Sequence, residues 1–342
     1  MIQNLIITDY RGLLRRKMTK DQGIDVEYIL NRLNKEKYNF KVVSIEEIVT
    51  NYSYYSDLEN SYIIYAGSKC VEYNIYIDHL IYLLSKKNYL IPSYDIFKSY
   101  DDKGFQELLK DELDLHSLDY KYLNSLDNFF QIESSLKYPI VIKEMKSASS
   151  KGVYKADNKE EAIKLINDIC NNINKISYRN LKVQIKNILI KNDSKSQDYK
   201  GVKRFLVQEF IAGLDSDWKV LVFGQKYYCL RRKVRPNDFR ASGSGLFDFV
   251  DPPEDILNFA NETFEKLDVP FISLDLAYDG KKTYIVEIQG LNFGPITLVN
   301  SPHYFEKMKN KWVKVESKSN LEEEYANAYL YYINRIKSRN SK

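Results

Sequence analysis

Two carboxylates stand inside apolar runs late in the chain. In FISLDLAYDGKKTYIVEIQGLNFGP (Phe271–Pro295), Asp275 lies between Leu274 and Leu276, and Glu287 between Val286 and Ile288. Asp279-Gly280 separates the runs Phe271–Leu276 and Thr283–Ile288, a pattern that predicts a strand, a tight turn and a second strand. An ionised carboxylate is costly to bury alone, and two on paired strands repel unless positive charge lies beside them. A hard cation with oxygen ligands meets that need, and Gln289 and Asn292 offer further oxygens. The plain alternative is a solvated strand pair with outward-facing acids.

Positive charge and small residues gather earlier. Lys143 ends the apolar run Pro139–Ile142, and the small polar loop Ser147-Ala148-Ser149-Ser150-Lys151-Gly152 follows before Val153 resumes a strand. Such a tip suits closing over phosphates, because small side chains let backbone N–H groups approach oxygens; the alternative is an ordinary mobile hairpin tip. Lys103 follows the capping pair Asp101-Asp102, in a first helical turn where a cation is slightly disfavoured. Arg231-Arg232-Lys233-Val234-Arg235 and Asp238-Phe239-Arg240 precede the flexible stretch Ala241–Gly245. Clustered arginines beside a Gly/Ser loop suit an anionic ligand, with a solvated basic loop as the alternative.

The elements that must position these groups come from periodicity. Residues 1–100 alternate short strands (Leu5-Ile6-Ile7, Phe40–Val43, Tyr62–Ala66, Tyr89–Ile91) with helical stretches (Asp25–Leu33, Val71–Leu84), which predicts an open parallel sheet. Gly67-Ser68 after the third strand is read as a plain turn in preference to a ligand contact. Residues 101–135 read as helical, and Lys159–Ile169 as an amphipathic helix. Residues 171–204 read as an insertion with a helical patch at Leu181–Ile190 and a mobile loop near Asn192–Tyr199. Phe205–Ile211 (FLVQEFI), Trp218–Phe223 and Lys226–Leu230 are strands, Pro252–Leu267 is a helix, and Leu321–Ile336 is a helix that packs back on the body. The domain expectation is 1–100, 101–204 and 205–342.

Composition bounds the function. Across 342 residues the net charge is +4 with both signs interspersed, which argues against a dedicated nucleic-acid or membrane surface. Cys70, Cys170 and Cys229 are scattered and outside CxxC pairs, so neither a disulfide framework nor a zinc site is expected and a reducing cytoplasm is the default. His79, His116 and His303 are isolated. No apolar run approaches a membrane span, and the start of the chain reads as a strand and not a signal peptide.

The order of signals resembles the ATP-grasp superfamily. A lysine-ended strand, a small-residue loop, a strand with an acid near its end, a basic segment, then the LDL and EIQ strands cover roughly residues 95–300. The QEFI…D-W-K run of Gln208–Lys219 and the RRK…DFR run of Arg231–Arg240 are similar to the ribosomal-protein glutamate ligase and glutathione synthetase branch. The resemblance implies an α/β fold: an ATP-grasp fold of two α+β subdomains clasping ATP, preceded by a small parallel α/β domain. It implies that Lys143 and Lys103 hold ATP phosphates under a lid that includes Ser147, Ser149 and Ser150. Glu209, Phe210 and Ile211 would line the adenine pocket, and Asp217, or nearby Asp215, would meet the ribose. Asp275, Glu287 and the residue two beyond would bind magnesium, with manganese able to substitute. Arg232 and Arg240 would face the transferred phosphate and the substrate carboxylate. Two departures stand out: Gln289 where the family has asparagine, which leaves Asn292 as an alternative ligand, and a lid richer in serine than in glycine.

The implied activity is an ATP-dependent carboxylate–amine ligase working through an acyl phosphate, its partners a small-molecule or peptide carboxylate and an amine. The alternatives are an ATP-grasp kinase acting on a hydroxyl and a non-catalytic ATP-binding regulator. Neither nucleic acid nor membrane is expected, and a homodimer is left open.

Overall fold

The strand and helix signals that alternate at the start of the chain become a parallel sheet. β1 (Asn4–Thr8), α1 (Val26–Lys35), β2 (Phe40–Ser44), α2 (Ile45–Thr50), α3 (Tyr52–Tyr55), β3 (Tyr62–Ile64), α4 (Val71–Ser85), β4 (Tyr89–Ile91) and α5 (Tyr94–Ser99) follow one another. The strands pair in the order β2-β1-β3-β4, all parallel. Strands covered on both faces need continuous apolar runs; Leu5-Ile6-Ile7 and Tyr62-Ile63-Ile64 supply them and are buried. α1 starts where Asp25 accepts a hydrogen bond from the Tyr28 N–H. α6 (Lys103–Glu112) starts in the same way, with Asp102 accepting from the Phe105 N–H. The computed structural model describes residues 3–15, 23–100, 102–115, 118–145, 152–171 and 202–341. The chain forms two units, Met1–Ser117 with Gly213–Lys342, and Leu118–Ala212.

The second unit holds β5 (Tyr120–Leu123), α7 (Leu126–Ile132), β6 (Ile140–Glu144), β7 (Val153–Ala156), α8 (Lys159–Asn171) and β8 (Phe205–Glu209). Its antiparallel sheet runs β5-β8-β6-β7 over a core that includes Phe129, Ile142, Ile166 and Phe205. Residues 101–135, expected to be helical, contain β5. That strand is mostly half-exposed and Tyr-rich, and pairing with β8 makes it a strand where its own apolar pattern is too sparse to signal one. The helical patch and loop expected within 181–199 lie outside the described residues.

The rest of the first unit is β9 (Ser216–Phe223), β10 (Lys226–Lys233), β11 (Phe247–Asp248), α9 (Glu254–Leu267), β12 (Phe271–Tyr278), β13 (Thr283–Gln289), α10 (Ile296–Asn300), β14 (Tyr304–Met308), β15 (Lys311–Val315) and α11 (Leu321–Asn340). Among the described residues its sheet runs β13-β12-β9-β10-β14-β15, with β11 beside β10. The β12–β13 hairpin forms as predicted, and Gly280 takes φ +90° in its turn. Two features differ from expectation. β10 extends to Lys233, so Arg231 and Arg232 sit on a strand and not in a basic loop. The β14–β15 hairpin was not foreseen; Lys309 and Asn310 turn it with φ +46° and +65°, as a two-residue hairpin of primed type requires.

Alternation divides this sheet between two cores. Val220, Val222, Ile272 and Leu274 face α9, whose Ile256, Ala260 and Phe264 cover them. Leu221, Phe223, Tyr228 and Phe271 face the other way, into the core that holds α11, which packs on the body as expected. The Tyr325 ring lies 5.0 Å from both Phe271 and Phe223. Among the described residues no helix is long and apolar enough to cross a membrane.

Candidate active site

Strand register carries the charged residues to one face. Asp275 on β12 stands opposite Glu287 on β13 and Lys219 on β9; Asp217 on β9 stands opposite Arg232 on β10. Since side chains two apart share a face, Asp217, Lys219, Arg232, Ser273, Asp275, Glu287 and Gln289 project together, on the face that carries Phe271 and Leu221 further along. A register shift after Asp275 bends the hairpin at this point.

The cation that the acid pair calls for is supplied, at Asp275, by the sheet itself. Lys219 Nζ donates to Asp275 Oδ1 at 2.8 Å, and Arg232 Nη2 lies 2.8 Å from Asp275 Oδ2. Arg232 also donates from Nε and Nη2 to the two oxygens of Asp217, at 2.6 and 2.7 Å. Burial pushes the Asp275 carboxyl up, but Arg232 and Lys219 outweigh it and hold it well below the usual carboxylate range. For Asp217 burial wins over the pull of Arg232 and raises the carboxyl to about 6. Burial would lower Arg232, yet Asp275 and Asp217 raise it, so the guanidinium stays charged. Lys219 escaped the sequence reading as a site residue. Its signal was a lysine alternating with Trp218 and Val220, two residues after Asp217.

Glu287 is held differently. Gln289 Nε2 donates to its Oε1 at 3.1 Å. The backbone beside it is clamped by α6: Gln106 Nε2 donates to Ile288 O and Gln106 Oε1 accepts from Ile288 N, both at 2.7 Å. Lys110, fully buried, pairs with Glu107 at 2.8 Å and reaches Ile285 O at 3.5 Å. Burial lowers the Lys110 ammonium, and Glu107 and Glu287 partly offset it. Two polar side chains of a helix thus close the open edge of β13. Lys103, half-buried, occupies the first turn of that helix. Neither Gln106 nor Lys110 carried a sequence signal, since each looks like a solvated helical position.

Asn292 turns elsewhere. Its Nδ2 donates to Gly67 O at 2.8 Å, and its Oδ1 accepts from Arg15 Nη1 at 3.5 Å. A Cβ at Gly67 would meet Leu291 Cδ2 at 2.6 Å, so a larger residue there would have to displace the buried Leu291 side chain. Arg240 is paired with a different acid. Its Nε and Nη2 donate to Asp238 at 2.9 and 2.7 Å, and these bonds hold the Asp238 carboxyl low. Asp215 is exposed and accepts from Ser216 Oγ at 2.7 Å.

In the second unit, Lys143 is buried on β6, opposite Val153 and Leu206. Glu209 ends β8 exposed, with Oε1 accepting from Asp119 N at 3.1 Å. Lys155 Nζ sits 5.0 Å over the Phe210 ring, and Ile211 is half-buried. Ser147, Ser149 and Ser150 lie outside the described residues.

Among the described residues no group of three or more His, Cys, Asp or Glu side chains is placed to hold a metal. Two facing carboxylates and an amide oxygen still suit magnesium, which takes one or two protein carboxylates and draws its other ligands from phosphate and water.

Solved structures share this architecture. The chain is similar to a D-cycloserine synthetase (TM-score 0.52, 12% identity, covering 96% of this chain and 98% of that one). It is similar to D-alanine–D-alanine ligase from Bacillus anthracis (0.50, 12%, 99% and 100%) and to a macrocyclase from Microcystis aeruginosa MRC bound with its precursor peptide (0.50, 10%, 97% and 99%). No family model matches the chain, and no curated protein matches its sequence. The fold is the ATP-grasp fold, and at these identities the fold is what is shared.

Proposed function

We propose that the chain is an ATP-dependent ligase that activates a carboxylate as an acyl phosphate and passes the acyl group to an amine. The observation that carries this reading is the charged face of β10, β9, β12 and β13, where facing Asp275 and Glu287 adjoin Lys219 and Arg232 within an ATP-grasp fold. Asp275, Glu287 and the Gln289 amide oxygen would hold magnesium, or manganese in its place. Asn292 is the poorer ligand because it is a neutral amide already held at both ends, by Gly67 O and by Arg15. A metal held there would neutralise phosphate charge and orient the transferred group. Lys103 and Lys143 would hold ATP phosphates, and Glu209, Phe210 and Ile211 the adenine. With Asp217 committed to Arg232, the exposed Asp215 is better suited to the ribose.

A substrate carboxylate oxygen attacks the γ-phosphorus, and the bond to the bridging oxygen breaks to release ADP. An amine nitrogen then attacks the acyl carbon. The tetrahedral intermediate expels phosphate, and the amine gives up a proton. Arg232, fixed by Asp217, would offer N–H groups to the negative charge that grows on these oxygens. A fixed donor of this kind is worth ~3 kcal/mol, since nothing reorganises at the moment of reaction. Arg240 would serve the substrate carboxylate.

Incubation with magnesium-ATP and pools of carboxylates, amino acids, peptides and amines, read by mass spectrometry and phosphate assay, tests the reading. The macrocyclase neighbour's precursor peptide is the reason to include peptides. A ligase yields ADP, free phosphate and an amide. A phosphorylated hydroxyl in place of free phosphate makes the chain a kinase, and ATP binding without turnover makes it a regulator.

A further inference from the structure

We infer that Lys219 is a resident counter-ion of Asp275 that a divalent metal must displace, so that the metal site is self-occupied in the absence of ligand. The inference rests on the proposed metal reading of Asp275 and Glu287. Both oxygens of Asp275 are engaged by protein cations, Oδ1 by Lys219 and Oδ2 by Arg232, each at 2.8 Å. A divalent ion taking either oxygen meets a positive charge already at hydrogen-bond distance, and like charges at that separation repel strongly where water is largely excluded.

The two cations are not equally free to move. Arg232 is anchored by a two-pronged pair with Asp217 as well as by Asp275. Among the described residues Lys219 has one ionic or hydrogen-bonding side-chain partner, Asp275, and its side chain retains 15% of its exposure. A lysine ammonium on four flexible methylenes leaves more readily than a guanidinium locked in a planar fork. The charge balance agrees. Asp217, Asp275 and Glu287 against Arg232 and Lys219 leave one negative charge on this face, and withdrawal of Lys219 leaves two, which a divalent ion neutralises. Lys219 therefore holds Asp275 aligned while the site waits, and opposes loading by metal alone.

Manganese(II) titration of the full chain without nucleotide, followed by the electron paramagnetic resonance of the free ion, tests this. Lys219→Met and Lys219→Gln are expected to bind one manganese at least about tenfold tighter than wild type. Lys219→Arg, which keeps a cation, is expected to bind no tighter than wild type. Equal or weaker binding by both neutral variants, with melting temperatures close to wild type, overturns the inference. Glu287→Gln in the Lys219→Met background separates the two readings. Loss of the tight manganese supports both, whereas tight manganese that survives puts the ion elsewhere and removes the carboxylate-pair reading together with the inference. If wild type binds manganese in a Glu287-dependent way and the neutral variants merely match it, the metal reading stands and the role of Lys219 falls.

Discussion

The two ends of one sheet face are built on opposite physics. At one end Phe271, Phe223, Leu221 and Tyr228 are buried in the core that holds α11. Further along the same strands, Asp275, Lys219, Asp217 and Arg232 form a closed ion cluster. The apolar end stabilises the fold, each buried aromatic side chain contributing roughly 1.5–3 kcal/mol. The charged end does not repay itself in that way, because the desolvation cost of buried ions consumes most of their mutual attraction. Alternation along the strand assigns residues to the face, and the covering helix decides where core gives way to site.

Substitutions at the two ends should therefore separate activity from stability. Glu287→Gln keeps size and shape but removes a carboxylate from the charged end. ATP turnover is expected to fall at least about a thousandfold, roughly 4 kcal/mol of transition-state stabilisation, with a melting temperature near wild type. Normal phosphate release by this variant would remove the metal assignment. Phe271→Ala at the apolar end is expected to do the reverse, costing about 3–5 kcal/mol of stability while the molecules that remain folded keep their specific activity. Chemical denaturation paired with a turnover assay checks it; a change confined to activity would mean that the two ends are not separable.

The charged end also carries a pH signature. The Asp217 carboxyl, raised from 3.8 to about 6 by burial, binds its proton more tightly in the fold than in the unfolded chain. Its contribution to stability is fully present below about pH 3.8 and is lost as the pH rises through about 6. Asp275 acts with the opposite sign and at lower pH, because its folded carboxyl is lowered. Asp217→Asn should abolish the Asp217 step. The variant gains on wild type by up to about 3 kcal/mol as the pH rises through that window, read as melting temperature against pH. Parallel profiles would show that Arg232 keeps Asp217 ionised throughout.

The hairpin was legible because its apolar runs and Asp279-Gly280 are local signals. β5 and the β14–β15 hairpin were not, since strands rich in tyrosine, lysine and exposed positions lack an apolar alternation. Asp217, Arg232, Asp275 and Glu287 could each be picked out singly. That Asp275 would be paired to Lys219 and Arg232 could not, because it depends on the mutual register of β9, β10 and β12. The Gln106 clamp on Ile288 joins positions 182 residues apart and leaves no trace in either segment.

That clamp offers a smaller test on the Glu287 side. Gln106→Leu leaves the Ile288 N–H and C=O without their partner, at a cost of about 1–3 kcal/mol. Hydrogen exchange at the Ile288 amide is expected to quicken, and turnover to fall while manganese binding weakens, since the strand that carries Glu287 loses its brace. Unchanged exchange at Ile288 would show that the edge is held by other contacts of α6.

Arg240 contrasts with Arg232 in how it is held. Arg232 is shared between two acids inside the sheet, whereas Arg240 is paired with Asp238 on a loop, with 30% of its side chain exposed. A guanidinium offers a planar fork of donors that fits a substrate carboxylate, which an ammonium cannot imitate. Arg240→Lys is expected to keep ATP affinity and to lose product formation by about tenfold, roughly 1.4 kcal/mol. Single-turnover kinetics with the identified substrate pair, alongside calorimetric titration of nucleotide, separates the two quantities. If the variant forms product at the wild-type rate, the Arg240–Asp238 pair is a partly exposed brace worth little. Arg232 would then be the one arginine of the two that serves the reaction.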